Sequence, residues 1–218
     1  MSAEADDYGR FITLEGGEGS GKSTQLTLLT RRLQSVGLKA IGTREPGGSP
    51  GAEQIRNLLV TGEVGRWSPM TEALLNYAAR RNHVETTIMP ALRAGQWVVS
   101  DRFADSTMAY QGYGHELGRE RIEALHDLVM GPFKPDLTLI FDLTVEQGLE
   151  RATAGDDGAE DRYERMDNDF HERLRAGFLD IAEAEPQRCA VIDASGTVEQ
   201  VFDLVRAAVA ARLRVNLP

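Results

Sequence analysis

The sequence predicts a three-layer α/β domain built on a five-stranded parallel sheet flanked by helices, and three observations carry that prediction. Short β-rich runs alternate with longer helical patterns along all 218 residues, the signature of repeated strand-helix-strand units. A glycine-rich loop falls between the first β-rich run and the first helical one. No repeat, low-complexity linker or apolar run approaching the roughly 18 residues of a membrane span interrupts the chain, so a single domain covers residues 1–218.

The strands are expected at 10–15 (RFITLE), 38–44 (LKAIGTR), 96–100 (QWVVS), 137–142 (LTLIFD) and 189–193 (CAVID). Each is rich in the branched and aromatic residues that fit a pleated surface. Helical periodicity places helices at 22–36, 50–60, 70–93, 119–130, 145–154, 168–184 and 198–213. Between the last two strands, 155–161 (GDDGAED) has no residue able to fill a core, and it reads as a charged, mobile surface loop.

Lys plus Arg number 24 and Asp plus Glu 34, a formal net charge of −10. That excess of acid disfavours general nucleic-acid binding, which needs a net basic face to release counterions from phosphates. A local basic pocket is still compatible with it. All the cations except Lys22, Lys39 and Lys134 are arginine, the side chain whose planar fork grips phosphate or carboxylate at two points.

Residues 1–9 are acidic and polar, without the pattern of a signal or transit peptide, and read as a flexible tail. A single cysteine, Cys189, permits no internal disulfide, and both features lead us to expect a cytoplasmic location. Cys189 sits in an apolar run and reads as a small buried hydrophobe. Trp67 and Trp97 read as packing residues. His83, His115, His126 and His171 show no ligand spacing, so no zinc site is expected.

The strongest motif is Gly16-Gly17-Glu18-Gly19-Ser20-Gly21-Lys22-Ser23, which fits G-x-x-x-x-G-K-[ST] in the strand-loop-helix context that a P-loop requires. Its glycines let backbone N–H groups turn inward, and those groups with the helix N-terminus bind nucleotide phosphates. Lys22 reaches the β and γ phosphates, and the Ser23 hydroxyl ligates the Mg²⁺ that accompanies ATP.

A P-loop does not distinguish switch, motor and kinase. No lysine is preceded by asparagine, so the Asn-Lys pair of a guanine switch is absent, and Leu143 follows Asp142 where a motor usually carries a second acid. Arginines at strand ends argue for a small-molecule kinase. Arg44 ends the second strand in Thr43-Arg44-Glu45-Pro46-Gly47-Gly48, and Asp101-Arg102 ends the third. Two guanidinium groups there, where open α/β sheets bind ligands, would hold an acceptor's phosphate in line with the γ-phosphate.

The combination resembles bacterial thymidylate kinases over about residues 9–213. The matching segments include Thr43 to Gly48, Tyr77-Ala78-Ala79-Arg80, Asp101-Arg102-Phe103, Ser106 to Gly112 and Asp161-Arg162-Tyr163-Glu164. The resemblance implies the reaction ATP + dTMP → ADP + dTDP, in dTTP biosynthesis, by a homodimer. It puts Arg44 and Arg102 on the dTMP phosphate and Asp101 beside the magnesium shell or the arginines. Arg80 and Gln111 would face the thymine edge. Tyr110 would exclude a ribose 2′-hydroxyl, and Glu18 would face the acceptor sugar or an acceptor-site arginine.

The same resemblance makes about 152–168 a lid over ATP that excludes water. Relatives lacking a P-loop arginine supply a catalytic arginine from the lid, and here position 18 is glutamate. Arg162 is the first choice for that role, Arg151 the second and Arg165 the third. A further departure is Asn76, where relatives often place a phenylalanine to stack on thymine; Tyr77 or Phe103 would then take its place. The alternatives are a kinase for another nucleoside monophosphate and a non-enzymatic ATP-binding regulator, which would leave Arg44 and Arg102 without a task.

Overall fold

The computed structural model describes residues 8–155 and 162–218. Its strands are β1 (Phe11–Gly16), β2 (Ala40–Arg44), β3 (Trp97–Asp101), β4 (Leu137–Asp142) and β5 (Cys189–Asp193). They form one parallel sheet in the order β2-β3-β1-β4-β5. Every residue of β1 is buried, as is β4 as far as Phe141, because helices cover both faces and such strands need no polar side.

The helices are α1 (Lys22–Ser35), α2 (Pro50–Val60), α3 (Pro69–His83), α4 (Met89–Arg93), α5 (Ala104–Thr107), α6 (Arg119–Met130), α7 (Val145–Gly155), α8 (Asn168–Ala184) and α9 (Val198–Leu213). Their starts follow capping chemistry. Pro50 and Pro69 occupy first-turn positions, where the missing N–H costs nothing. The Asp167 carboxylate accepts from Phe170 N at 2.7 Å, and Thr197 and Gln200 cap each other reciprocally at the start of α9.

Two stretches depart from the periodicity. The helix expected over 70–93 is α3 and α4 joined by a wide turn at Val84–Ile88. Pro90 sits in the first turn of α4; it cannot donate to the preceding turn, and the widened turn absorbs that loss. Residues 104–114, for which no element was expected, form α5 and a second wide turn, Met108–Gly114. Gly112 and Gly114 and a run of polar and aromatic residues hide any 3.6-residue stripe there. Gly114 is needed because a Cβ would lie 2.6 Å from the Phe170 ring.

Period-two alternation along β1 builds two cores. Ile12 and Leu14 pack with Leu29, Leu33 and Val205 of α1 and α9 on one face. Phe11 packs with Tyr77, Ile88, Phe103 and Ile122 on the other. A third cluster joins Tyr110, Ile140, Phe170, Phe178 and Cys189 against α8. Burial raises the Cys189 thiol to about 12, as expected for a packing residue. Trp97 packs on the first core, and the half-exposed Trp67 donates its indole N–H to Leu58 O at 2.9 Å.

Packing begins earlier than the expected end of the tail, since Gly9 N donates to Leu92 O at 2.8 Å. Residues 1–7 and most of the charged stretch 155–161 lie outside the described residues. Among the described residues no helix is long and apolar enough to cross a membrane. The register sets Arg44 opposite Asp101, and Leu14 opposite the same residue. The carboxyl ends of β2, β3 and β1 therefore finish together, where open α/β sheets form their ligand crevice.

Candidate active site

Two cavities open at those strand ends and share a wall. One, of about 430 Å³, lies over the P-loop and is lined by Gly19 to Thr24 together with Arg44, Asp101 and Arg151. The other, of about 290 Å³, is lined by Asn76, Arg80, Phe103, Tyr110 and Gln111, among others. Glu18, Glu45, Arg56 and Arg102 line both.

The P-loop's shape depends on its glycines. Gly19 and Gly21 adopt φ of 65° and 83°, the left-handed region that glycine enters without cost. A Cβ on Gly19 would lie 1.9 Å from Gly148 O, so the loop rests directly on α7. Lys22 Nζ donates to Gly17 O at 2.6 Å and to Ser20 Oγ at 3.0 Å. Burial, reinforced by neighbouring Arg102, lowers the Lys22 ammonium to about 8. Ser23 Oγ donates to Asp101 Oδ2 at 2.5 Å, which brings two hard oxygen donors together on the cavity wall.

Arg102 forms the ridge between the cavities. Its NH1 donates to Gly16 O at 2.9 Å and Ser106 Oγ at 3.2 Å, and its NH2 to Glu18 Oε1 at 3.1 Å. The guanidinium lies 4.9 Å from the centre of the Tyr110 ring. The backbone of Arg102 has φ 69°, an uncommon conformation for a long side chain that costs on the order of 1–3 kcal/mol. It is held by Arg102 N on Leu14 O at 2.9 Å and by Ser100 Oγ on Arg102 O at 2.8 Å. Glu15, buried beneath, accepts from Phe103 N at 2.7 Å and Ser106 Oγ at 2.5 Å. Burial and neighbouring Asp105 raise the Glu15 carboxyl to about 8.

Glu18 accepts from Arg102 NH2 and from the Tyr110 hydroxyl. Burial would raise its carboxyl, but Arg102, Lys22 and that hydroxyl outweigh it and hold the group at about 2. Arg44 lines the P-loop cavity and not the second one; its NH2 donates to Glu53 Oε2 at 3.2 Å.

Arg80 lines the second cavity. It is buried, with Nε on Glu45 Oε2 at 2.7 Å and NH2 on Phe103 O at 2.9 Å and Thr107 Oγ1 at 3.0 Å, while NH1 has no hydrogen-bond partner among the described residues. Of the two rings expected to replace the missing phenylalanine, Phe103 lines this cavity. Tyr77 does not: it packs under Arg80 and lines a separate cavity of about 220 Å³ beside α6.

Arg162, the first choice from the sequence, packs between α2 and α3. It lies 3% exposed, ion-paired with Glu72, with NH1 on Leu59 O at 2.7 Å and Nε on Glu63 O at 3.3 Å. Its guanidinium ties α2 and α3 together and lines neither cavity. Arg165 also turns aside, donating to Gly62 O at 2.8 Å. Arg151 is the candidate that lines the P-loop cavity, steadied by Ala194 O at 2.9 Å and Ser195 O at 3.1 Å.

Sequence reading gave no role to Glu45, Arg56 or Glu72. Glu45 pairs with both Arg80 and His83, Arg56 lines both cavities, and Glu72 is a fully buried carboxylate. Lone acids and one arginine on amphipathic helices carry no spacing signal; only Glu45, inside Arg-Glu-Pro-Gly-Gly, stood beside a recognised segment.

A P-loop whose cavity shares an arginine-bearing wall with a second cavity at the carboxyl ends of a parallel sheet fits a nucleoside monophosphate kinase. The thymidylate kinase family model matches residues 14–205. The chain is 54% identical over 205 residues to the thymidylate kinase of Caulobacter vibrioides, covering 94% of this chain and 98% of that one. It is 51% identical to that of Nitrobacter hamburgensis, covering 95% and 90%. The crystal structure of thymidylate kinase from Ehrlichia chaffeensis superposes with a TM-score of 0.76 at 36% identity, covering 93% of this chain and 98% of that one. The chain belongs to the thymidylate kinase family.

Proposed function

We propose that the chain transfers the γ-phosphate of ATP to dTMP, with ATP in the P-loop cavity and dTMP in the second, and that Arg102 stands where the phosphate crosses. The observation that carries the reading is the shared wall: Arg102 and Arg56 line both cavities, so the same two guanidinium groups face donor and acceptor. Phosphoryl transfer asks a protein chiefly to align two anions and neutralise charge. Backbone N–H groups of Gly16 to Ser23 and the Lys22 ammonium hold the triphosphate. Arg102 holds the acceptor phosphate, Arg44 meets it from the P-loop cavity that it lines, and Arg151 takes the place first given to Arg162 as the cation over the transferring group. No general base is needed, because the acceptor oxygen is already anionic.

Ser23 Oγ and Asp101 Oδ2, adjacent on the cavity wall, suit Mg²⁺, a hard cation that takes oxygen ligands and keeps several waters. Bound there with ATP, it would supply charge neutralisation to the phosphate oxygens. Arg80 and Gln111 would read the thymine edge, Phe103 would pack on the base and Tyr110 would bar a 2′-hydroxyl.

A cytoplasmic location accords with the single, buried Cys189. A homodimer is supported by Met70 and Leu74 on α3 and Leu128 on α6, which remain 38%, 51% and 83% exposed on neighbouring helices. An ADP-release assay with ATP against dTMP, dUMP, UMP, dCMP, AMP and GMP tests the reading. Preference for dTMP supports it; preference for another acceptor, or ATP binding without acceptor-stimulated turnover, overturns it.

A further inference from the structure

Glu72 lies in α3, fully buried, and its two oxygens serve different partners. Oε1 takes the Arg162 guanidinium, and Oε2 accepts from Gln111 Nε2 at 3.1 Å. Tyr163 OH adds a longer contact to Oε2 at 3.4 Å. Gln111 is itself 1% exposed and lines the acceptor cavity. A primary amide has a donating end and an accepting end, and the network around it decides which way it faces. A carboxylate matched by an arginine only accepts, so Gln111 must turn its nitrogen to Glu72 and keep its carbonyl oxygen for the cavity.

We infer that Glu72 is a positioning residue for base selection: it fixes the Gln111 amide so that Oε1 meets the N3–H of a pyrimidine imide. Arg80 NH1, a buried donor with no partner among the described residues, then meets the neighbouring O4. Thymine presents that acceptor-donor order; cytosine presents a 4-amino donor beside an N3 acceptor, which sets donor against donor and acceptor against acceptor. Buried polar groups left unpaired by the wrong base give strong rejection. The inference rests on the proposed placement of dTMP in this cavity.

The test compares kcat/KM for dTMP and for 5-methyl-dCMP, two nucleotides of the same shape that differ in the hydrogen-bonding edge. Wild type is expected to prefer dTMP by at least about 10³-fold. In Glu72→Gln the replacement amide can donate or accept, so Gln111 no longer has one orientation, and the preference falls at least tenfold, through KM for dTMP more than through kcat. The double variant Glu72→Met with Arg162→Met removes the buried pair whole, the change such pairs tolerate best. It gives the same loss, and stands in should Glu72→Gln fail to fold. Rates that fall equally for both nucleotides, leaving the preference intact, overturn the positioning role. Absence of preference in wild type would instead overturn the placement of dTMP.

Discussion

Arg102 and Glu18, 84 residues apart in sequence, meet at 3.1 Å on the ridge between two cavities. The pair is partly exposed, 15% and 21%, and faces both cavities. Glu18 keeps the guanidinium extended along the ridge, and Tyr110 holds Glu18 from beneath.

Replacing Arg102 by lysine keeps one charge but loses the fork that reaches Gly16 O, Ser106 and Glu18 together. We expect kcat/KM for dTMP to fall roughly 100-fold, with ATP affinity changed much less. Steady-state kinetics with separately varied ATP and dTMP check this.

Arg162 and Arg151 should separate stability from catalysis. Arg162→Ala strands the buried Glu72 carboxylate, a loss of about 3–5 kcal/mol, which at this chain length lowers Tm on the order of 10 °C. Arg151→Ala, at an exposed position, should leave Tm within about 2 °C and lower kcat at least roughly tenfold. Calorimetry and turnover on both variants decide which arginine serves the reaction.

Lys22 is held at about 8 in the free protein, and a bound triphosphate favours its charged form. Binding of magnesium-ATP at pH 8.5 should therefore take up protons, and at pH 6.5, where Lys22 is already charged, it should not. Titration calorimetry in two buffers of different ionisation enthalpy measures the uptake.

Glu15 gives the fold a pH signature. Its carboxyl is raised from 4.5 to about 8, so between those values the folded chain holds a proton that the unfolded chain has lost. The resulting stability is complete below pH 4.5 and is lost as pH rises through about 8. Glu15→Gln should flatten that fall, as read from urea unfolding at a series of pH values.

The legible parts of the fold were those with a strong period. The strands, α1, α2 and α6 to α9 follow from β-rich runs and 3.6-residue stripes, whereas α5 and its wide turn were hidden by Gly112 and Gly114. In the site, backbone-defined features were readable: the P-loop announces itself by glycine spacing, and Arg44 and Asp101-Arg102 by their place at strand ends. Side-chain direction was not. Arg162 follows the charged stretch in sequence yet turns toward α3, because Glu72, buried there, requires a cation. Nothing in the local sequence of Glu72 marks it as buried, and only the packing of Gln111 and Arg162 against it makes its role visible.

If donor and acceptor cavities meet at Arg102 as one continuous site, one molecule can fill both at once. A thymidine-adenosine bisubstrate joined by five phosphates, measured by titration calorimetry, probes this. It should bind at least about 100-fold more tightly than ATP or dTMP alone, exclude both, and lose that advantage in Arg102→Lys. Binding no tighter than the better single nucleotide, or dTMP binding undiminished beside it, would contradict the claim.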